Sequence, residues 1–144
     1  MTEYIKIRNS KLGKSVVETL NKNFFEAYFV EDKKSALEKA ISLIPTTDIV
    51  SWGGSLTLNE IGLLEKLKEL NYKIIDRDSA TSNEERQKLM RSSLNCDTFL
   101  MSSNAITQDG HLFNIDGLGN RLAALCYGPK SILIIAGMNK VVKN

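Results

Sequence analysis

"SWGGSLTLNEIG", residues 51–62, decides the fold. The run "DIVSW" (48–52) has the length and apolar character of a buried strand. It ends on Gly53-Gly54, and a helical spacing of leucines begins at once, with residues 57–70 predicted as one helix carrying Ile61, Leu64, Leu67 and Leu70 in register. A strand that feeds a helix through two glycines is half of a βαβ unit. The glycines leave backbone amides open to a bound group, because no Cβ stands in the way.

The same alternation runs outward from this joint. Upstream, "EDKKSALEKAISLI" (31–44) places Ala36, Leu37, Ala40, Ile41 and Ile44 on one helical face, and Pro45 stops it. "FEAYFV" (25–30) reads as an aromatic-rich strand, and the first 22 residues read as a helical segment with Leu12, Val16, Val17 and Leu20 at helical spacing. Downstream, "YKIID" (72–76), "DTFLMS" (97–102) and "SILIIA" (131–136) read as strands. "HLFNI" (111–115) reads as a short extended piece. Helices are predicted over 82–95, opened by a Ser82/Glu85 capping box, and over 120–128, ended by Gly128-Pro129. Strands alternating with helices at this spacing predict one α/β domain over 1–144: a doubly wound, mainly parallel sheet with helices on both faces.

Bulk composition excludes several classes. Hydrophobic residues make up 42% and charged residues 25%, with a net charge of +2 and basic residues interleaved with acids. A nucleic-acid binder would show a clustered basic face. No apolar run is long enough to span a bilayer and no leader segment opens the chain, so a cytoplasmic protein with no membrane partner is expected. Cys96 and Cys126 belong to no CxxC, and neither a metal site nor a cofactor motif is read.

In a doubly wound sheet the ligand sits outside the carboxyl ends of the strands. Small and polar residues concentrate there, in "GGSLT" (53–57), "DRDSAT" (76–81), "SSNAITQDG" (102–110), "NIDGLGNR" (114–121) and "GMNK" (137–140). Gly53, Gly54 and Ser55 suit an anion, while Thr57 and Glu60 fit either the site or a plain T-x-x-E capping box. Gly117-x-Gly119 lacks the third small residue of a dinucleotide fingerprint, since Leu122 stands there. Asn120 and Arg121 open the helix that follows, and Arg121 could grip a carboxylate or phosphate through two parallel bonds. Asp109 and Asp116 are the acid/base candidates, although "QDG" is also an ordinary hairpin turn. Asn104 and Asn139 either position a ligand or cap turns. His111 reads as an exposed turn residue, Cys126 as a core residue on a helix, and Cys96 as a weak nucleophile candidate at a helix end.

The blocks "VSWGGSLTLNEIGLLEKL", "IIDRD" and "SSNAITQDGHLFNIDGLGNRLAALCYGPKSILIIAGMNKVV" resemble the LUD domain of lactate-utilisation proteins, the LutC/YkgG family, from about residue 25 onward. That family resembles the NagB/RpiA/CoA-transferase superfamily in fold. "DGHLFNIDGLGNRLAA" is also similar to a stretch of translation initiation factor regulatory subunits and sugar-phosphate isomerases. The resemblance implies a part in oxidising lactate to pyruvate beside iron–sulfur partner proteins. The matching positions are Gly53, Gly54, Ser55, Thr57, Glu60, Asn104, Asp109, Asn114, Asp116, Gly117, Gly119, Asn120, Arg121, Asn139 and Lys140. Relatives continue past the equivalent of "GMNKVVKN" with a further helix and a cysteine-bearing tail. Three functions follow as expectations. One is an accessory subunit that binds a small anionic metabolite and does no redox chemistry alone. The second is a free-standing isomerase or transferase acting on a sugar phosphate or acyl-CoA, which needs a carboxylate such as Asp109, Asp116 or Glu60 as its acid/base. The third is a ligand-sensing scaffold. A homo-oligomer is compatible with all three.

Overall fold

The computed structural model describes residues 1–143. Helix α1 (Glu3–Lys22) is followed by α2 (Lys33–Leu43) and strand β1 (Ile49–Trp52). Two short helices come next, α3 (Leu56–Glu60) and α4 (Leu63–Glu69), then β2 (Lys73–Ile75) and α5 (Asn83–Ser92). β3 (Thr98–Met101) leads into β4 (Ala105–Thr107) and β5 (Leu112–Phe113). The chain closes with α6 (Asn120–Cys126), β6 (Ser131–Ile134) and β7 (Val141–Val142). Four strands form an all-parallel sheet in the order β2-β1-β3-β6.

The period-two alternation of strand side chains sends successive residues to opposite faces, and both faces are apolar. Val50, Trp52, Leu100, Ile74 and Leu133 pack on one face against Ala40 and Ile44 at α2 and against Leu58, Ile61, Leu63 and Leu67 of α3–α4. Phe99, Met101, Ile75, Ile132 and Ile134 pack on the other against Ala124 and Leu125 of α6, with Leu94 and Cys96 beside them. The sheet is therefore doubly wound, as the sequence predicts. The chain leaves β1 towards β2 on one side and leaves β3 towards β6 on the other. The β1–β3 junction is the topological switch point, and the crevice at its carboxyl end is where such folds bind ligands.

Four expectations are corrected. The helix over 57–70 is two helices, because Gly62 adopts φ +75°, which only glycine takes at no cost. The bend turns Leu58, Ile61, Leu63 and Leu67 onto the sheet, while Leu70 is left exposed. The strand over 25–30 is irregular, since no sheet edge reaches it. Its Phe29 ring lies instead against Gly13 of α1, where an added Cβ would come within 2.2 Å. Cys126 is exposed: Arg121, Ala124 and Leu125 form the inward stripe of α6, and position 126 falls on the opposite side. Finally, a second, three-stranded sheet in the order β5-β4-β7 accompanies the main one, with β4 antiparallel to β5 and parallel to β7.

Candidate functional site

Two constellations occupy the carboxyl end of the main sheet, and Gly53 touches both. The first is a clamp around Arg121. Its Nε donates to Asp116 Oδ1 at 2.6 Å, its Nη2 to Asn104 Oδ1 at 2.7 Å and to the Ile115 carbonyl at 3.1 Å, and its Nη1 to the Ser102 carbonyl at 3.2 Å. Asp116 is 6% exposed and also accepts the Leu122 amide at 2.9 Å, so it caps α6 where the N-cap residue, Gly119, has no side chain. Asn104 Oδ1 takes a second bond from the Ile115 amide at 3.0 Å. Arg121 thus ties the β3 exit, the β5 exit and the start of α6 together, and four of its donor contacts lie within the chain.

Burial alone would raise the Asp116 pKa. The bonds from Arg121 and the Leu122 amide outweigh it and hold the carboxyl below its usual range. A carboxylate whose pKa is depressed by folding contributes stability above its unfolded value, about 3.9, and loses it as pH falls through the folded value. Urea melts are expected to show stability falling below about pH 4. In Asp116→Asn the component of that loss due to this carboxyl is absent; an unchanged acid limb would show that its ionisation is not linked to folding.

The second constellation is a cleft of about 460 Å³. The β1 exit, Trp52 to Leu56, forms one wall, Asn59 and Leu64 lie beyond it, and Arg77 and Asp78 enter from the β2 exit. Ser55 is the N-cap of α3 and accepts from the Leu58 amide at 3.5 Å. That displaces the T-x-x-E capping box: Thr57 lies within the helix, and Glu60 instead pairs with Lys33 of α2 at 3.5 Å. Gly53 and Gly54 separate the two arginines. A Cβ on Gly53 would meet Arg121 Cγ at 2.6 Å, and one on Gly54 would meet Arg77 Nη2 at 2.6 Å.

Arg77 differs from Arg121 in one respect. Its side chain is 13% exposed, yet Nε is buried with no hydrogen-bond partner, and its nearest acid oxygen is Asp78 Oδ1 at 3.7 Å. Desolvation pushes its pKa below the ordinary arginine value, opposed by Asp78. Among the described residues only two other buried side-chain polar atoms lack a partner, Ser102 Oγ and Asn114 Oδ1, and both also follow strands. Such atoms are uncommon in folded proteins and call for a ligand, ion or water. The three lie just beyond β2, β3 and β5.

The remaining predicted residues are spread more widely. Asp109 sits in the β4–β5 turn, 60% exposed, beside His111 Nδ1 at 3.1 Å and bonded by the Thr107 hydroxyl. Its backbone is held by Asn23, just after α1, so it does not join the cleft. Gly117 has open space around it, Gly119 adopts φ +77° at the N-cap of α6, and Asn120 is that helix's first residue. Asn139 and Lys140 lie in a 3₁₀ turn after β6. Cys96 is buried, and burial pushes its thiol up to about 11, too high for a nucleophile at neutral pH. Arg77, Asp78, Trp52 and Ser102 were missed. The signal for the first two was present in "DRDS", an arginine between two acids immediately after a strand.

The sequence model of the LUD domain family matches residues 13–144. The chain belongs to the LUD domain family. No curated protein matches it. The matched span covers every strand of this LUD domain, the clamp and the cleft. Among its described residues no helix is long and apolar enough to cross a membrane, and no three His, Cys, Asp or Glu side chains gather as a metal ion would require.

Proposed function

We propose that this LUD domain protein binds a small carboxylate, of the lactate and pyruvate kind, in the cleft between the β1 and β2 exits. It would serve as an accessory subunit of LutC/YkgG type in a cytoplasmic system oxidising lactate to pyruvate. The observation that carries the reading is the buried, unpartnered Nε of Arg77 beside Gly53-Gly54. A guanidinium in this state gains most from a planar acid that takes two parallel bonds. The family's association with lactate utilisation supplies the acid.

The isomerase or transferase alternative needs a carboxyl in the cleft that can carry a proton at neutral pH. Glu60 is turned to Lys33, Asp109 lies in a remote turn, and Asp116 is held ionised by Arg121 and capping α6. The carboxyl that does line the cleft, Asp78, is engaged by the Trp52 indole and by Arg86, and these placements favour binding over proton transfer. The two cysteines, one buried in the sheet's second core and one on the surface of α6, do not form a thiolate set for a cluster. In the proposed system the iron–sulfur chemistry would belong to partner proteins.

Trp52 is the only tryptophan and lines the cleft, so its fluorescence reads the site directly. Titration with sodium L-lactate or pyruvate is expected to change that fluorescence and to raise Tm. An acid at a hundred times its Kd adds about 2.7 kcal/mol. Arg77→Met is expected to weaken binding by roughly tenfold or more, because a hydrogen bond to a charged group contributes about 1.5–3 kcal/mol. Its stability should match or exceed the parent, since an incompletely paired buried charge is replaced by apolar volume. Silence with both acids, or equal binding by Arg77→Met, would sink the reading.

A further inference from the structure

Asp78 lies at the mouth of the cleft, and three donors converge on it. The Trp52 indole Nε1 donates to Oδ2 at 3.1 Å, Arg86 Nη1 of α5 donates to Oδ1 at 3.3 Å, and Arg77 Nε stands 3.7 Å from the same Oδ1. The carboxylate is half exposed while Trp52 is buried, so Asp78 faces the cleft with its position fixed from behind by the indole. The neighbouring acid, Asp76, is not available to the site, because it pairs with Lys68 at 3.0 Å and accepts the Asp78 amide. Within the lining of the cleft Arg77 brings one positive charge and Asp78 one negative, while Arg86 touches Asp78 from outside the lining. On the far side of Gly53, Arg121 and Asp116 cancel each other.

We propose that Asp78 is the specificity-determining residue of this cleft, offsetting the charge of Arg77 so that the site favours a monocarboxylate over doubly charged acids such as phosphate monoesters and dicarboxylates. The inference rests on the carboxylate-binding reading above and narrows it. Arg77 alone cannot make this distinction, since a guanidinium binds carboxylate and phosphate alike. A fixed carboxylate within a few ångströms of the bound group repels a second negative charge about as strongly as it repels the first. In a partly desolvated cleft that repulsion changes affinity by roughly tenfold per charge. With Arg77 offset by Asp78, the second charge of a dianion gains no net attraction and still has to leave water. The Trp52 bond keeps Asp78 from swinging away to relieve the repulsion.

The test is Trp52 fluorescence titration at pH 7.5 and fixed ionic strength with sodium L-lactate, L-malate and glycerol 3-phosphate, on the parent, Asp78→Asn, Asp78→Glu and Arg86→Gln. The parent is expected to bind lactate at least tenfold more tightly than either dianion. Asp78→Asn keeps the shape and an acceptor for Trp52, and should gain roughly tenfold for the dianions relative to lactate. Asp78→Glu keeps the charge and should keep the preference. Arg86→Gln removes a cation and should sharpen it. A parent that prefers dianions, or an Asp78→Asn variant that folds with the parent's Tm and the parent's ratio, overturns the inference while leaving carboxylate binding in place. A parent that binds none of the three acids overturns the carboxylate reading and this inference with it.

Discussion

Arg121→Ala is expected to destabilise the protein by about 3–5 kcal/mol, the cost of stranding one partner of a buried ion pair. Asp116 would remain, 6% exposed, with its charge uncompensated. The Asn104 carboxamide oxygen and the Ser102 and Ile115 carbonyls would lose their guanidinium donor in the same step. Those groups belong to the crossover from β3 to β6, so the damage spreads from the α6 N-terminus to the exit of a central strand. Urea melts should show the loss, with Tm falling by roughly 10 °C. Arg121→Lys should recover little, because an ammonium cannot reach four acceptors set out for a planar fork. Arg121→Ala combined with Asp116→Ala should be less unstable than the sum of the single changes, since no buried charge is left alone. A loss below 1 kcal/mol for Arg121→Ala would mean that the clamp is not what holds these loops. The sequence reading took Arg121 as the residue that grips the ligand. Its four internal hydrogen bonds give it a structural role, and in the function proposed above binding falls to Arg77, whose Nε has no such partner.

The parts legible in the sequence are those in which period and side-chain chemistry agree. The stripe of Ala36, Leu37, Ala40, Ile41 and Ile44 packs as predicted, and the four parallel strands fall in four of the five predicted strand runs. What was not legible depends on contacts distant in the chain. The 25–30 segment has strand propensity but no edge to pair with, and propensity for a strand is largely a statement about its neighbours. β4, β5 and β7 are two or three residues long, too short to show a period. The glycine pair and the polar loops mark the end of the sheet at which the cleft and the Arg121 clamp lie. They do not say which arginine is bound up within the protein and which keeps an unpaired donor. Arg77 and Arg121 look alike in sequence, each near an aspartate in a strand-exit loop. Only the count of partners, none for Arg77 Nε and four contacts for Arg121, separates them.

Gly53 and Gly54 are neighbours, and substituting them is expected to fail in two different ways. In Gly53→Val the new Cβ would lie 2.6 Å from Arg121 Cγ and 3.0 Å from Cδ. Those carbons cannot yield, because the guanidinium beyond them is pinned by the clamp and the backbone behind them is in α6. Phe99, in the core below, closes the other side at 3.6 Å. Overpacking of this kind costs about 1–3 kcal/mol, and displacing the clamp adds to it, so a loss of about 3 kcal/mol or more is expected in urea melts. In Gly54→Ala the new Cβ would lie 2.6 Å from Arg77 Nη2, the far end of a side chain whose Nε makes no hydrogen bond. Arg77 can swing aside, so stability should stay within about 0.5 kcal/mol of the parent. The guanidinium would then leave the position in which it meets an acid, and Trp52 fluorescence should report binding weakened by roughly tenfold, as for Arg77→Met. On this reading Gly53 serves the fold and Gly54 the proposed binding of an acid. If both substitutions cost stability alike, or if Gly54→Ala binds lactate as the parent does, this division of the glycine pair is wrong, and the cleft owes its shape to something other than the arginine on each side of it.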